Sequence, residues 1–135
     1  MYDGIAMLLA QVPDLIYDDL GGNIFLDRMP STPDRAVALY PQPSTEPDSK
    51  LPYGPVEFQI VVRAEPGTAW ALDTWQAIYS KLHGLRNTTL PDGTYAVFVL
   101  ATSGSPFSLG DDENGRVQLA GDYRGEKLNQ TEERP

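Results

Sequence analysis

Residues 56–84, VEFQIVVRAEPGTAWALDTWQAIYSKLHG, decide the fold class. Val56, Phe58, Ile60 and Val62 alternate with Glu57, Gln59 and Arg63, the period-two pattern of a strand with one buried face. Val61 falls on the polar side, which implies that part of that side is covered as well. Pro66, Gly67 and Thr68 stop the strand, and apolar residues then recur at helical spacing: Leu72, Trp75, Ile78, Tyr79 and Leu82 make one stripe over residues 69–83. Gly84 is placed as the residue that ends the helix, with Lys81 and His83 near the negative end of its dipole. A half-buried strand leading into a core helix signals a mixed α and β architecture.

Working outward, Ile5, Leu8, Leu9 and Val12 predict a short N-terminal helix, capped by Asp3 and ended by Pro13. Strands are expected over 23–28 and over 34–40, where Pro41 stops the run, and the two are expected to be neighbours. The apolar run 94–102 reads as a strand buried on both faces or at an interface, and 116–124 as the last strand, entered through a type I′ turn at Asn114-Gly115. Between Pro41 and Pro55 five prolines and little periodicity predict a long loop. The expected fold is α+β: residues 1–124 form a single domain with a mixed or mostly antiparallel sheet of four to five strands and two helices packed on one face. Residues 125–135 are expected to form a flexible tail.

The chain has 135 residues, enough for one core, with 41% hydrophobic and 21% charged residues. Its formal charge of −9 repels phosphate, so a broad nucleic-acid-binding surface is not expected. The absence of cysteine excludes disulfides, thiol catalysis and cysteine metal sites. No stretch reaches the roughly 20 apolar residues of a membrane helix, and Asp3 stands where a signal peptide carries positive charge, so neither a membrane partner nor export by a cleaved signal is expected.

The search for reaction chemistry returns little. The sole histidine, His83, ends the core helix with no nucleophile and base arrangement beside it. Asp111, Asp112 and Glu113 offer hard oxygen ligands, but without the alternating spacing of a calcium loop, and neither phosphate-binding glycine motif occurs. No cofactor, metal or catalytic residue is expected. Aromatic residues in turn-rich segments point to contacts instead: Tyr53 and Phe107 sit between prolines and glycines. Trp70, five residues before Trp75, points away from the core stripe. With Leu109, Asp111, Asp112, Glu113 and Arg116, these residues are the candidate protein interface.

Three motifs in order carry a family resemblance: Asp34–Tyr40 (DRAVALY), His83-Gly84-Leu85, and Ser105–Tyr123 (SPFSLGDDENGRVQLAGDY). From about residue 3 to about residue 124 the chain resembles the bacteriophage minor capsid proteins that act as tail terminators or tail-completion proteins. The resemblance implies a structural virion protein assembled in the host cytoplasm and placed in the tail or neck region. Its copies would form a ring, commonly of six, that caps the tail tube, ends its elongation and joins it to the head connector, while genomic DNA passes through without specific binding. Loops 42–54 and 103–115 would meet the tube on one side and the connector on the other. Two alternatives remain at this point: a head-completion or neck stopper protein, and a small monomeric or dimeric protein-binding module.

Overall fold

The computed structural model describes residues 1–18, 20–42 and 53–128. Two helices, α1 (Tyr2–Leu9) and α2 (Trp70–Leu82), accompany seven strands: β1 (Ile24–Leu26), β2 (Ala36–Gln42), β3 (Tyr53–Ala64), β4 (Leu85–Thr89), β5 (Tyr95–Ala101), β6 (Phe107–Asp111) and β7 (Val117–Leu128). All seven strands join one mixed sheet in the order β1-β2-β3-β7-β5-β4, with β6 paired to β7 off that path. The sheet is larger than the four to five strands expected. It is antiparallel apart from β1 and β2, which pair in parallel as neighbours.

The additions have physical reasons. Leu-Arg-Asn-Thr-Thr of β4 is polar and shows no alternation, and β6 is exposed at every position, so neither carries a burial period to read. Pro41 does not stop β2, which runs on to Gln42. It pairs with Phe58 on one side, while on the other β1 reaches only Val37 to Leu39, so the missing N–H falls on an unpaired edge. β3 starts at Tyr53, inside the expected loop; residues 43–52, which hold most of that loop, lie outside the described residues. β7 continues to Leu128, so Gly125–Leu128 belong to the sheet and not to a flexible tail; residues 129–135 lie outside the described residues. Residues 103–115 likewise hold a strand, β6, where a loop was expected. Within the single chain β5 is fully buried only at Ala96 and Val99, so it is half-buried and not covered on both faces, the first of the two environments expected for it.

α2 buries Ala71, Thr74, Trp75, Ile78 and Leu82, the i, i+4, i+7, i+11 face, and this rotation leaves Leu72 43% exposed at the stripe's margin. His83 is the C-cap and Gly84 follows at φ +84°. α1 buries Ile5, Ala6 and Leu9; Asp3 does not cap it but accepts a hydrogen bond from the Tyr17 hydroxyl at 2.5 Å. Both helices feed one core cluster with Val37, Leu39, Phe58, Ile60, Val62 and Tyr123. Inside it, Tyr2 meets the Phe58 ring edge-on at 5.9 Å and Phe58 stacks on Tyr123 at 5.4 Å.

α2 approaches the sheet closely where Trp75 lies over Gly121. A Cβ on Gly121 would lie 2.7 Å from Trp75 Nε1 and 3.2 Å from two ring carbons. The absence of a side chain there lets the indole lie on the backbone of β7. Gly121→Ala is therefore expected to destabilise the fold by about 1–3 kcal/mol, the usual cost of overpacking a core. Urea unfolding followed by tryptophan fluorescence reads it, and an unchanged midpoint would contradict the packing account.

Candidate interaction surface

β7 has twelve residues, and β5 pairs only with its C-terminal part, Tyr123–Lys127. β6 pairs with the part that β5 leaves open, from Val117 to Ala120, with a shift in register between Ser108 and Gly110. The resulting β6–β7 hairpin carries Phe107 at 40% and Leu109 at 46% exposure.

Its turn is tightly specified. Gly115 N–H donates to Asp112 O at 2.9 Å and Asp112 N–H donates to Arg116 O at 3.0 Å, with Gly115 alone of the turn residues at positive φ, +76°. That is a type I turn closed by a left-handed glycine, and not the type I′ turn expected from Asn114-Gly115. The Asp112 side chain completes it: Oδ1 accepts from the backbone N–H groups of Asn114 (3.0 Å) and Arg116 (2.8 Å), and Oδ2 accepts from Arg116 Nε at 2.8 Å. Desolvation pushes this carboxyl up, but the two backbone donors and the Arg116 guanidinium outweigh it, and the net shift is below the ordinary 3.8.

Arg116 is buried, 6% exposed, and its Nη1 donates to Ser31 O at 2.6 Å and contacts Asp34 Oδ1 at 3.3 Å. Arg63, 2% exposed, holds the same segment through the carbonyls of Pro33 and Asp34. Burial first, and then the charge of Arg116, pushes Arg63 down from its usual value, while Asp112, Asp34 and Tyr40 oppose the shift. Two guanidiniums side by side are tolerable because carbonyls and carboxylates accept their donors. The hairpin is thereby clamped to residues 31–34.

The sequence candidates separate accordingly. Phe107, Leu109, Asp111 and Glu113 are exposed along the hairpin, whereas Asp112 and Arg116 are spent inside it. Trp70 lies elsewhere, half-buried against the core, with the Arg35 guanidinium 5.7 Å from its ring centroid and Arg35 bound in turn to Glu65 at 2.6 Å. Tyr53 opens β3 opposite Leu128; its side chain lies outside the described residues. Sequence reasoning missed further exposed apolar residues: Met7, Ile16 and Leu20 are 41%, 53% and 86% exposed. The signal was Leu20 itself, an aliphatic residue before the turn pair Gly21-Gly22. It also missed a shallow, open depression of about 390 Å³ among α1, α2 and β4, lined by Leu8, Ala77, Ser80, Lys81 and Leu85. Among the described residues no group of three or more His, Cys, Asp or Glu side chains is placed to hold a metal ion.

The family described as "Bacteriophage tail terminator protein" matches residues 9–124, from the end of α1 through the hairpin to Arg124. The chain belongs to the bacteriophage tail terminator family. A solved chain from the virion of a native gene transfer agent (GTA) particle superposes with a TM-score of 0.65 at 15% identity, covering 92% of each chain, a likeness of fold. No curated protein sequence matches the chain. In this family member the paired part of the hairpin, residues 107–120, and its Arg116 clamp lie inside the matched segment.

The Asp112 charge stabilises the hairpin at any pH above the ordinary carboxylate value and loses that effect as the pH falls through the lower folded value. Acid unfolding followed by circular dichroism is therefore expected to show a stability loss beginning below about pH 4. Asp112→Asn should be less stable at neutral pH and should lose less on acidification; identical acid profiles would remove Asp112 as the clamp.

Proposed function

We propose that this tail terminator family member is a structural protein of the virion that works through contacts. Its copies form a ring, six by the family resemblance, which caps the tail tube, stops its elongation and meets the head connector. The observation that carries this reading is the family match over residues 9–124, which spans nearly the whole sheet. The hairpin fits it: β6 holds two apolar side chains in solvent on a rigid support, an arrangement suited to burial against another protein.

A non-enzymatic role is supported by the condition of the sole histidine. His83 Nδ1 accepts the Ala101 N–H at 3.0 Å and the ring stacks on Tyr79 with centroids 4.8 Å apart, so the imidazole links α2 to β5. The formal charge of −9 suits a ring through which DNA passes without adhering. The place of work is the tail or neck of the particle, reached from the host cytoplasm where the parts assemble.

The test is the mass of the purified protein by light scattering after size exclusion, at two concentrations, alone and with purified tail tubes. A hexamer, or a monomer that becomes a ring only on tubes, is the expected result. A fixed monomer or dimer indifferent to tubes would replace this reading with that of a small binding module. Deleting residues 43–50, outside the described residues, is expected to leave thermal unfolding unchanged and to lower the yield of infectious particles; a normal yield would remove that segment from the assembly surface.

A further inference from the structure

The chain has four asparagines, and the residue after each sets them apart. Ile24 follows Asn23, Thr88 follows Asn87 and Gln130 follows Asn129, whereas Asn114 alone precedes a glycine, Gly115. The backbone nitrogen after an asparagine is a nucleophile within reach of the side-chain carbon Cγ. A side chain on that following residue crowds the approach, a β-branched one most of all, and glycine leaves it open. Asn23 is held as well: its Oδ1 accepts the Ile16 N–H and its Nδ2 donates to Asp14 O, both at 2.7 Å. Asn114 is exposed, and its side chain makes no hydrogen bond among the described residues.

The folded turn opposes this reaction at three points. Gly115 N–H, whose proton has to leave, is donated to Asp112 O at 2.9 Å. Asn114 N–H is tied to Asp112 Oδ1 at 3.0 Å. Asn114 is also the third residue of the type I turn, a position with ψ of about 0°, whereas ring closure needs Cβ and the next nitrogen eclipsed about the Cα–C bond, about 120° away. The hairpin must therefore open before the side chain can cyclise. Opening is resisted by Asp112, which binds Arg116 Nε at 2.8 Å, and by Arg116, whose Nη1 is anchored on Ser31 O at 2.6 Å.

We infer that Asn114-Gly115 is a latent site of spontaneous modification, with water as co-reactant, and that the Asp112–Arg116 clamp keeps it closed. In an opened hairpin the Gly115 nitrogen bonds to Asn114 Cγ, the Cγ–Nδ2 bond breaks, and ammonia leaves with the Gly115 proton. Water then opens the succinimide ring. Cleavage of the new Cγ–N bond gives aspartate; cleavage at the Asn114 carbonyl carbon gives isoaspartate, with the main chain running through Cβ. Neither step transfers electrons to or from another group. Aspartate adds a charge beside Asp111, Asp112 and Glu113. Isoaspartate lengthens the turn by one backbone carbon, so Gly115 N–H no longer falls opposite Asp112 O and the register that presents Phe107 and Leu109 is lost. The residue pair that closes the turn is also its point of decay, and the clamp sets the rate.

Mass spectrometry tests this on the full chain at one mildly alkaline pH. It reads the mass gained as the Asn114 –NH2 becomes –OH, and the isoaspartate in the peptide that holds it. In buffer the folded wild type is expected to convert about tenfold or more slowly than the same chain in guanidinium chloride, because only opened molecules react. Asp112→Ala is expected to convert several times faster than the wild type in buffer while keeping the circular dichroism spectrum of the folded protein. Asp112→Asn, which keeps an oxygen for the two backbone donors but loses the charge that holds Arg116, is expected to fall between them. Asn114 left unmodified in guanidinium would overturn the site, and equal rates in buffer and guanidinium would overturn its closure by the fold. Wild-type rates in both folded variants would overturn the part of the clamp; if Asp112→Ala loses the folded spectrum, Asp112→Asn alone decides that point.

Discussion

The rest of the structure depends on one ladder. Residues Tyr53–Ala64 of β3 pair one for one with Leu128–Val117 of β7, and both strands sit in the middle of the sheet. β2 adds to the far side of β3, while β5 and β6 share the far side of β7 in tandem. Because β7 outruns β5, part of its edge is left for a second strand, and the hairpin fills it. Gly121, in the stretch of β7 between the parts paired by β6 and β5, is where α2 sets Trp75 onto the sheet. The length of one pairing thus places both the core contact and the exposed strand.

Where a residue's environment follows from its own neighbours in sequence, the fold was legible. The alternation from Val56 to Val62, the helical stripe through Trp75, Ile78 and Leu82, and the glycine that ends α2 are all local patterns, and each appears as an element in the expected place. What could not be read depends on distant partners. β4 and β6 are strands because β5 and β7 offer edges to them, not because their residues alternate. The extension of β7 through Gly125 depends on close approach to the backbone of Phe98, where a Cβ would lie 2.3 Å from the carbonyl oxygen.

The candidate surface divides along the same line. Phe107 and Leu109 could be suspected because a turn-rich segment cannot bury its own apolar side chains, and they are exposed. Arg116 looks from sequence like one more charge beside an acidic run. Its burial depends on Ser31 and Asp34, more than 80 positions away, so its role in holding the hairpin had no local signature. The acidic run itself is not uniform: Asp112 is an internal acceptor for three donors, and its neighbours Asp111 and Glu113 are left in solvent.

The clamp on the hairpin bears on how fast and how selectively it meets another surface. Association between proteins loses favourable energy whenever a loop must be ordered at the moment of contact. Here the ordering is done during folding: Arg116 and Asp112 fix the turn, and the carbonyl of Ser31 fixes the stem. An encounter therefore meets one shape and not an ensemble, which leaves little for the chain to give up on binding and makes a surface of slightly wrong contour a poor fit. In a ring of the kind proposed, where each joint must hold the same angle, a stiff hairpin at the joint would keep successive joints alike.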